Sequence, residues 1–240
     1  LWWLILNGPI LTFRPSKSGK AYKKVWDNEN YGSPLRKFTI YQSKKLSDIL
    51  SLDKNIIVDY AMRYGVPAMH KTLDNLMKQG CTKVLLVPLY PQYAASTTAT
   101  VKDEFFRWML KQRWQPALRT IAPWFDDNNY INALAKTIKD NFKNDKKPDM
   151  LIISFHGIPK RYFAAGDPYH CHCIKTARLL KEKLKWPDDK ILVTFQSRFG
   201  PEPWLQPYTD KTIIDLAKNG TKSIAVVAPG FISDCLETLE

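Results

Sequence analysis

A chain of 240 residues has room for one large domain or for two of about 100–150 residues each. With 45% hydrophobic residues and many aromatics it can fill a packed core, which excludes disorder as its default state. The net charge of +13 favours an anionic partner, but the basic residues are scattered singly or in pairs such as Lys44-Lys45 and Lys146-Lys147. No nucleic-acid-binding signature accompanies them, so nucleic acid is not expected as a partner.

The chain opens on "LWWLILNGPILTFRP", whose apolar start is six residues long and lacks a preceding basic region. It is too short for a membrane span and does not read as a secretion signal, so a cytoplasmic location is expected. With no initiating Met, the sequence reads as a piece of a longer protein. The four cysteines (81, 171, 173 and 235) suit a reduced compartment better than a disulfide framework.

From residue 55 onward, short β-branched runs alternate with helix-length amphipathic segments. Strands are predicted at Ile56–Tyr60, Lys83–Leu89, Leu118–Ala122, Met150–Phe155, Ile191–Phe195 and Ser223–Ala228. Helices are predicted near 67–79, 97–112, 127–143, 171–184 and 209–219. This alternation predicts an α/β fold with parallel sheets, because parallel strands need crossovers and helices supply them. Near-continuous apolar strands such as "LIIS" and "IAVVA" fit a sheet covered on both faces.

One unit occurs twice. "KTLDNLMKQGCTKVLLVPLYP" from Lys71 and "KTIIDLAKNGTKSIAVVAPGF" from Lys211 share Lys-Thr, then Leu, Lys and Gly at the same offsets, followed by a Val-rich strand and a Pro. Helix, glycine cap, strand and Pro-marked loop form the common plan. Chance likeness of helix–Gly–strand units is the competing explanation. The repeat favours two similarly built domains, 1–146 and 147–240, divided in the polar stretch "KNDKKPD" at 143–149.

In open parallel sheets, ligands bind beyond the carboxyl ends of the strands. "PLYPQYAASTTAT", "SFHGIPKRY", "FQSRFGPEPWLQPYTD" and "APGFISDCLETLE" leave strands at that edge. They carry Tyr90, Tyr93, His156, Arg198, Trp204, Asp234 and Glu237. No Gly-x-Gly-x-x-Gly, Walker A or Gly-x-Ser-x-Gly sequence is present, so the usual phosphate cradle and nucleophile elbow are missing. An imidazole, acids and aromatics suit a flat apolar ligand with a proton-transfer or metal step. On the residues alone, a lone histidine at a strand end such as His156 is more often structural than catalytic. Glu237 can be a first-turn acid after a Ser/Asp cap at 233–234.

"HCHC" at 170–173 looks like a metal tract. In an extended loop its histidines and cysteines would point in opposite directions, and a cluster needs four ligands. Cys81 enters a strand while Cys235 follows one, so the two belong to opposite sheet edges. A simple helix start or adventitious metal is the expected reading, and an iron–sulfur cluster is not expected.

Taken together, "FRPSKSGKAYKKVW", "GSPL", "LYPQYAASTTAT", "SFHGIPKRYFAAGDPY", "VTFQSRFGPEPWLQPYTD" and "APGFISDCLETLE" resemble the bacterial ferrochelatases, in that family's order and across nearly the whole chain. The resemblance implies two Rossmann-like domains facing each other across a porphyrin cleft. It implies insertion of Fe2+ into protoporphyrin IX, the last step of haem synthesis, with both molecules as substrates and no cofactor required. By motif, His156 and Glu237 match the family's two facing active-site residues, assigned as iron ligands and proton acceptors. Arg14, Tyr22 and Ser33 match porphyrin contacts, Tyr90 matches an active-site tyrosine, and "LWWLILNGPIL" matches the lip over the cleft.

The chemistry fits these types. A free-base porphyrin loses two pyrrole protons as metal enters, which calls for bases against the macrocycle. Imidazole with carboxylate suits ferrous iron, and cations meet the propionates. The positive charge also fits peripheral association with an anionic inner-membrane surface. The chain departs from the family at its ends: an opening strand and a closing segment are expected to be missing. Ala95 stands where animal enzymes carry a cluster cysteine. Two other functions compete, a cobalt or nickel tetrapyrrole chelatase and a non-catalytic porphyrin- or haem-binding remnant. The sequence sets neither oligomeric state nor the choice between protoporphyrin and coproporphyrin.

Overall fold

A computed structural model describes residues 8, 11–28, 32–142 and 147–239, without the side chains of Phe13, Arg14 and Lys17. Most of the expected lip (residues 1–7, 9 and 10) and part of the expected domain boundary, 143–146, therefore lie outside the described residues. By packing, the described chain divides into two compact units, one within Leu1–Cys81 and Ser233–Glu240, the other Thr82–Ile232.

The first unit is helical: α1 (Leu11–Val25), α2 (Pro34–Leu50), α3 (Met69–Lys78) and, returning from the far end of the chain, α9 (Leu236–Leu239). Helices α1 and α2 precede the region where the sequence pattern is clear. Pro15 and Gly19 inside α1 are helix breakers by propensity, and they mask the helix in the sequence. The predicted strand Ile56–Tyr60 is not a strand. Its β-branched residues have the right propensity, but Ile56 and Ile57 are about half exposed, and a strand exists only through a paired neighbour.

In the second unit, β1 (Lys83–Leu86) pairs in parallel with β2 (Ala117–Thr120). Between them run a π-turn (Ala95–Ala99) and α4 (Thr100–Met109). The predicted extension of β1 to Leu89 is cut short before Pro88, which cannot donate to a ladder. A second parallel sheet has the order β4-β3-β5, with β3 (Met150–His156) central between β4 (Ile191–Gln196) and β5 (Ile224–Val227). The expected partition at 146/147 leaves one parallel sheet on each side.

Six consecutive residues of β3, Met150 to Phe155, are buried, as its unbroken apolar run predicts for a strand covered on both faces. Leu151, Ile153 and Phe155 share one face. They pack with Ala135 and Ile138 of α5 (Asn128–Asn141) and with Cys173, Ala177 and Leu180 of α7 (Tyr169–Leu184). Burying each of the large apolar side chains contributes about 1.5–3 kcal/mol. Asp127 caps α5 by accepting from the amides of Asn129 and Tyr130. The short α6 (Lys160–Ala164) follows β3, and α8 (Thr209–Lys218) follows β4.

The sequence repeat has a geometric counterpart. Helices α3 and α8 both span ten residues, and both end before a glycine at φ +86° (Gly80 and Gly220). The amides behind them make matching bonds: Cys81 to the Leu76 carbonyl and Thr221 to the Leu216 carbonyl, each at 3.1 Å. Each copy then enters a parallel strand.

Candidate active site

His156 is the last residue of β3 and lies opposite Gln196 of β4. The strand aims it: Ile152, Ser154 and His156 share the face opposite the Phe155 core. Its Nδ1 lies 2.6 Å from the Gly157 carbonyl oxygen. A carbonyl only accepts, so Nδ1 carries a proton, and in the neutral imidazole the lone pair is then on Nε2. The ring is half-buried, with the rings of Trp204 and Phe231 each 6.4 Å away, centroid to centroid.

Two loops hold Trp204. The amide of Leu205 donates to the Ile158 carbonyl at 3.0 Å, and that of Lys160 to the Pro203 carbonyl at 2.9 Å, which ties the segment after β3 to the segment after β4. Arg161 adds an exposed ion pair with Glu202 at 2.8 Å. Trp204 is thereby buried against Gly157, where an added Cβ would lie 3.1 Å from both the Trp204 ring and the Gln196 carbonyl oxygen. The glycine of Ser-Phe-His-Gly is therefore required by close approach.

On the His156 face of the sheet runs a chain of hydroxyls that sequence reasoning missed. Ser154 Oγ donates to Gln196 Oε1 at 2.5 Å and sits 2.9 Å from Thr209 Oγ1, which in turn lies 2.8 Å from Thr194 Oγ1. Ser154, Thr194 and Thr209 are buried, so these bonds satisfy groups that would otherwise be costly. The available signal was the period-two polar pattern of Ser154 with His156 and of Thr194 with Gln196 in otherwise apolar strands.

The first unit brings together two of the other residues singled out. Glu237 stands in the first turn of α9, as expected for an acid at a helix start. Thr238 braces that turn, accepting from the Cys235 amide at 3.0 Å and donating to Asp234 Oδ1 at 3.2 Å. Tyr22, on α1, has its phenol held above the usual range, first by burial and then by the negative charge of Glu237, so the two groups are neighbours. The Cys235 thiol is pushed up to about 12 by burial and by its hydrogen bond to the Glu237 carboxylate.

The remaining candidates occupy less telling positions. Ser33 is the N-cap of α2 in extended conformation, but its side chain makes no cap bond. Arg14 lies in α1 and its side chain is outside the description. Tyr90 is half-buried in the segment that leaves β1. "HCHC" is the first turn of α7, which begins at Tyr169 instead of 171. Cys173 is in the core, Cys171 is exposed, and His170 stacks on Phe195 at 5.8 Å. Among the described residues, no group of three or more His, Cys, Asp or Glu side chains is placed to hold a metal ion.

The described chain is a parallel α/β protein: one unit carries an imidazole at a strand's carboxyl end with aromatics around it, and the other a carboxylate near a tyrosine. Its fold is similar to that of SirB from Bacillus subtilis with Fe3+, at a TM-score of 0.58 and 17% identity over 82% of this chain and 73% of that one. The ferrochelatase family model matches residues 1–240. All of this chain aligns with ferrochelatases from Allorhizobium ampelinum (58% identity), Agrobacterium fabrum (55%) and Brucella ovis (49%), covering 70%, 70% and 68% of their lengths. The chain belongs to the ferrochelatase family.

Proposed function

We infer that this protein is a ferrochelatase, a metal chelatase of haem biosynthesis that inserts ferrous iron into a porphyrin. The observation that carries the reading is the family match along the whole chain, at 49–58% identity to relatives so named. Fe2+ is a substrate in this proposal, as is the porphyrin, taken to be protoporphyrin IX.

The reaction exchanges two pyrrole protons for one metal ion. His156 and Glu237 are the groups proposed to take part. The free Nε2 of His156 can accept a pyrrole proton or donate its lone pair to iron, but not both at once. The carboxylate of Glu237 can fill the complementary role, and both ligand types suit ferrous iron without the tight grip of thiolates. Trp204 and Phe231 offer apolar surface beside the imidazole. Tyr22, Ser33 and Tyr90 are proposed to contact the macrocycle, and Arg14 to meet a propionate.

A cytoplasmic position peripheral to the inner membrane is part of the proposal. The +13 charge suits an anionic surface, where hydrophobic substrate and product partition. No helix among the described residues is long and apolar enough to cross a membrane.

The test is a panel of anaerobic insertion assays with this chain: Fe2+, Co2+ and Ni2+ against protoporphyrin and coproporphyrin, with Glu237→Gln alongside. Preferential iron insertion, lost in Glu237→Gln, is the expected result. Tight porphyrin binding without turnover would mark a binding protein, and a preference for cobalt or nickel another chelatase.

A further inference from the structure

The His170–Cys173 tract has no part in the chemistry above, yet one of its side chains is tied to a segment that does. His172 faces the loop leaving β1, and its Nδ1 lies 3.1 Å from the amide nitrogen of Tyr93. The amide can only donate, so Nδ1 accepts, and the ring is neutral with its proton on Nε2. The other side of the contact is fixed by Phe125, whose ring stacks on the imidazole at 3.7 Å and 9°.

Two neighbours make the same kind of reach. One turn along α7, Thr176 Oγ1 accepts from the buried Gln92 side chain at 3.0 Å and donates to the Phe125 carbonyl at 2.7 Å. Just before the helix, Asp167 accepts from the Ala95 amide at 2.8 Å and, through its other oxygen, from the Tyr169 amide at 3.0 Å. Three side chains spaced along 167–176 thus hold residues 92, 93 and 95. That segment follows Tyr90 directly. A loop fixed by three charged or polar contacts is ordered in advance of binding, and its ligand need not supply the ordering.

We propose that His172 is a positioning residue for porphyrin binding: by accepting the Tyr93 amide, it sets the loop that carries Tyr90. The inference rests on the reading of Tyr90 as a porphyrin contact. It gives the histidine tract a role as the hydrogen-bonding edge of a clamp.

Two substitutions separate the acceptor from the stack. His172→Phe keeps a ring against Phe125 and removes the acceptor. His172→Asn gives up the ring but carries an amide oxygen near the place of Nδ1. Porphyrin affinity, read by fluorescence titration of the chain, is expected to fall about tenfold in His172→Phe, as an amide loses its partner, and to stay within about twofold in His172→Asn. The porphyrin KM should follow the affinity while the iron KM stays unchanged. Thermal stability should rank the two the other way, because the stack is kept only in His172→Phe. If affinity follows stability instead, or if His172→Phe binds as the unsubstituted chain does, the clamp is refuted. Tyr90→Ala is the control for the underlying reading. Unchanged affinity there removes Tyr90 from the porphyrin site, whereas weaker binding there with an intact His172→Phe overturns the clamp alone.

Discussion

Replacing Gly157 with alanine places one methyl group where the site has least room. The new Cβ would meet the Gln196 carbonyl oxygen and the Trp204 ring, each at 3.1 Å. Neither neighbour yields easily. The carbonyl accepts the Gly157 amide at 2.7 Å and is part of the β3–β4 ladder, and Trp204 is 3% exposed. Relief needs a shift of a few tenths of an ångström in one of them, which in a packed core costs about 1–3 kcal/mol. For a chain of this size that is a fall of roughly 4–8 °C in Tm for a cost near the middle of the range. The same shift carries the Gly157 carbonyl that orients His156, so turnover should drop about tenfold even where the protein stays folded. Thermal unfolding followed by circular dichroism, with insertion rates well below Tm, measures both. A Tm within about 1 °C of the parent and unchanged turnover would refute the view that Gly157 is there for close approach.

Other outcomes follow from the same geometry. Ser154→Ala takes one buried hydrogen-bond partner from Gln196 Oε1 and one from Thr209 Oγ1, which keeps its bond to Thr194. Urea unfolding should show a loss of about 1–3 kcal/mol, and a neutral result would contradict a structural role for the hydroxyl chain. Gly80→Ala and Gly220→Ala each force a left-handed backbone on a side chain with open space around it. Each should cost about 1–2 kcal/mol, and a large difference between them would mean that the two copies of the repeat do not share a cap. The His172 imidazole is held below its ordinary 6.5, chiefly by burial and against the opposing pull of Asp126 and Asp167. The unfolded chain then binds the extra proton first, so this contribution to stability is complete above about pH 6.5 and is lost as pH falls through the folded value. Tm measured between about pH 7.5 and 5 should fall less steeply in His172→Asn, which has nothing to titrate at that position; identical slopes would remove His172 as the cause.

The second sheet was legible because its strands are apolar throughout, and His156 was visible as the residue that ends the longest of them. Where the pattern weakened, so did the reading. Ile56–Tyr60 has the composition of a strand, but pairing is decided by neighbours, which composition does not reveal. Helices α1 and α2 were hidden by breakers and by a largely polar surface. "HCHC" drew attention as a metal tract because of residue type alone. Its use of one imidazole as an acceptor for a distant amide depends on a contact 79 residues away in sequence. The hydroxyl chain was hidden similarly, because Thr209 meets Ser154 and Thr194 only once β3, β4 and the start of α8 are packed.

The most direct test of the functional reading is anaerobic iron insertion by this chain and by His156→Ala, with porphyrin binding measured on both. Steady formation of the iron porphyrin by the parent, and binding without formation in the variant, is the expected pair of results. Undiminished insertion by His156→Ala would contradict the role assigned to the imidazole at the end of β3.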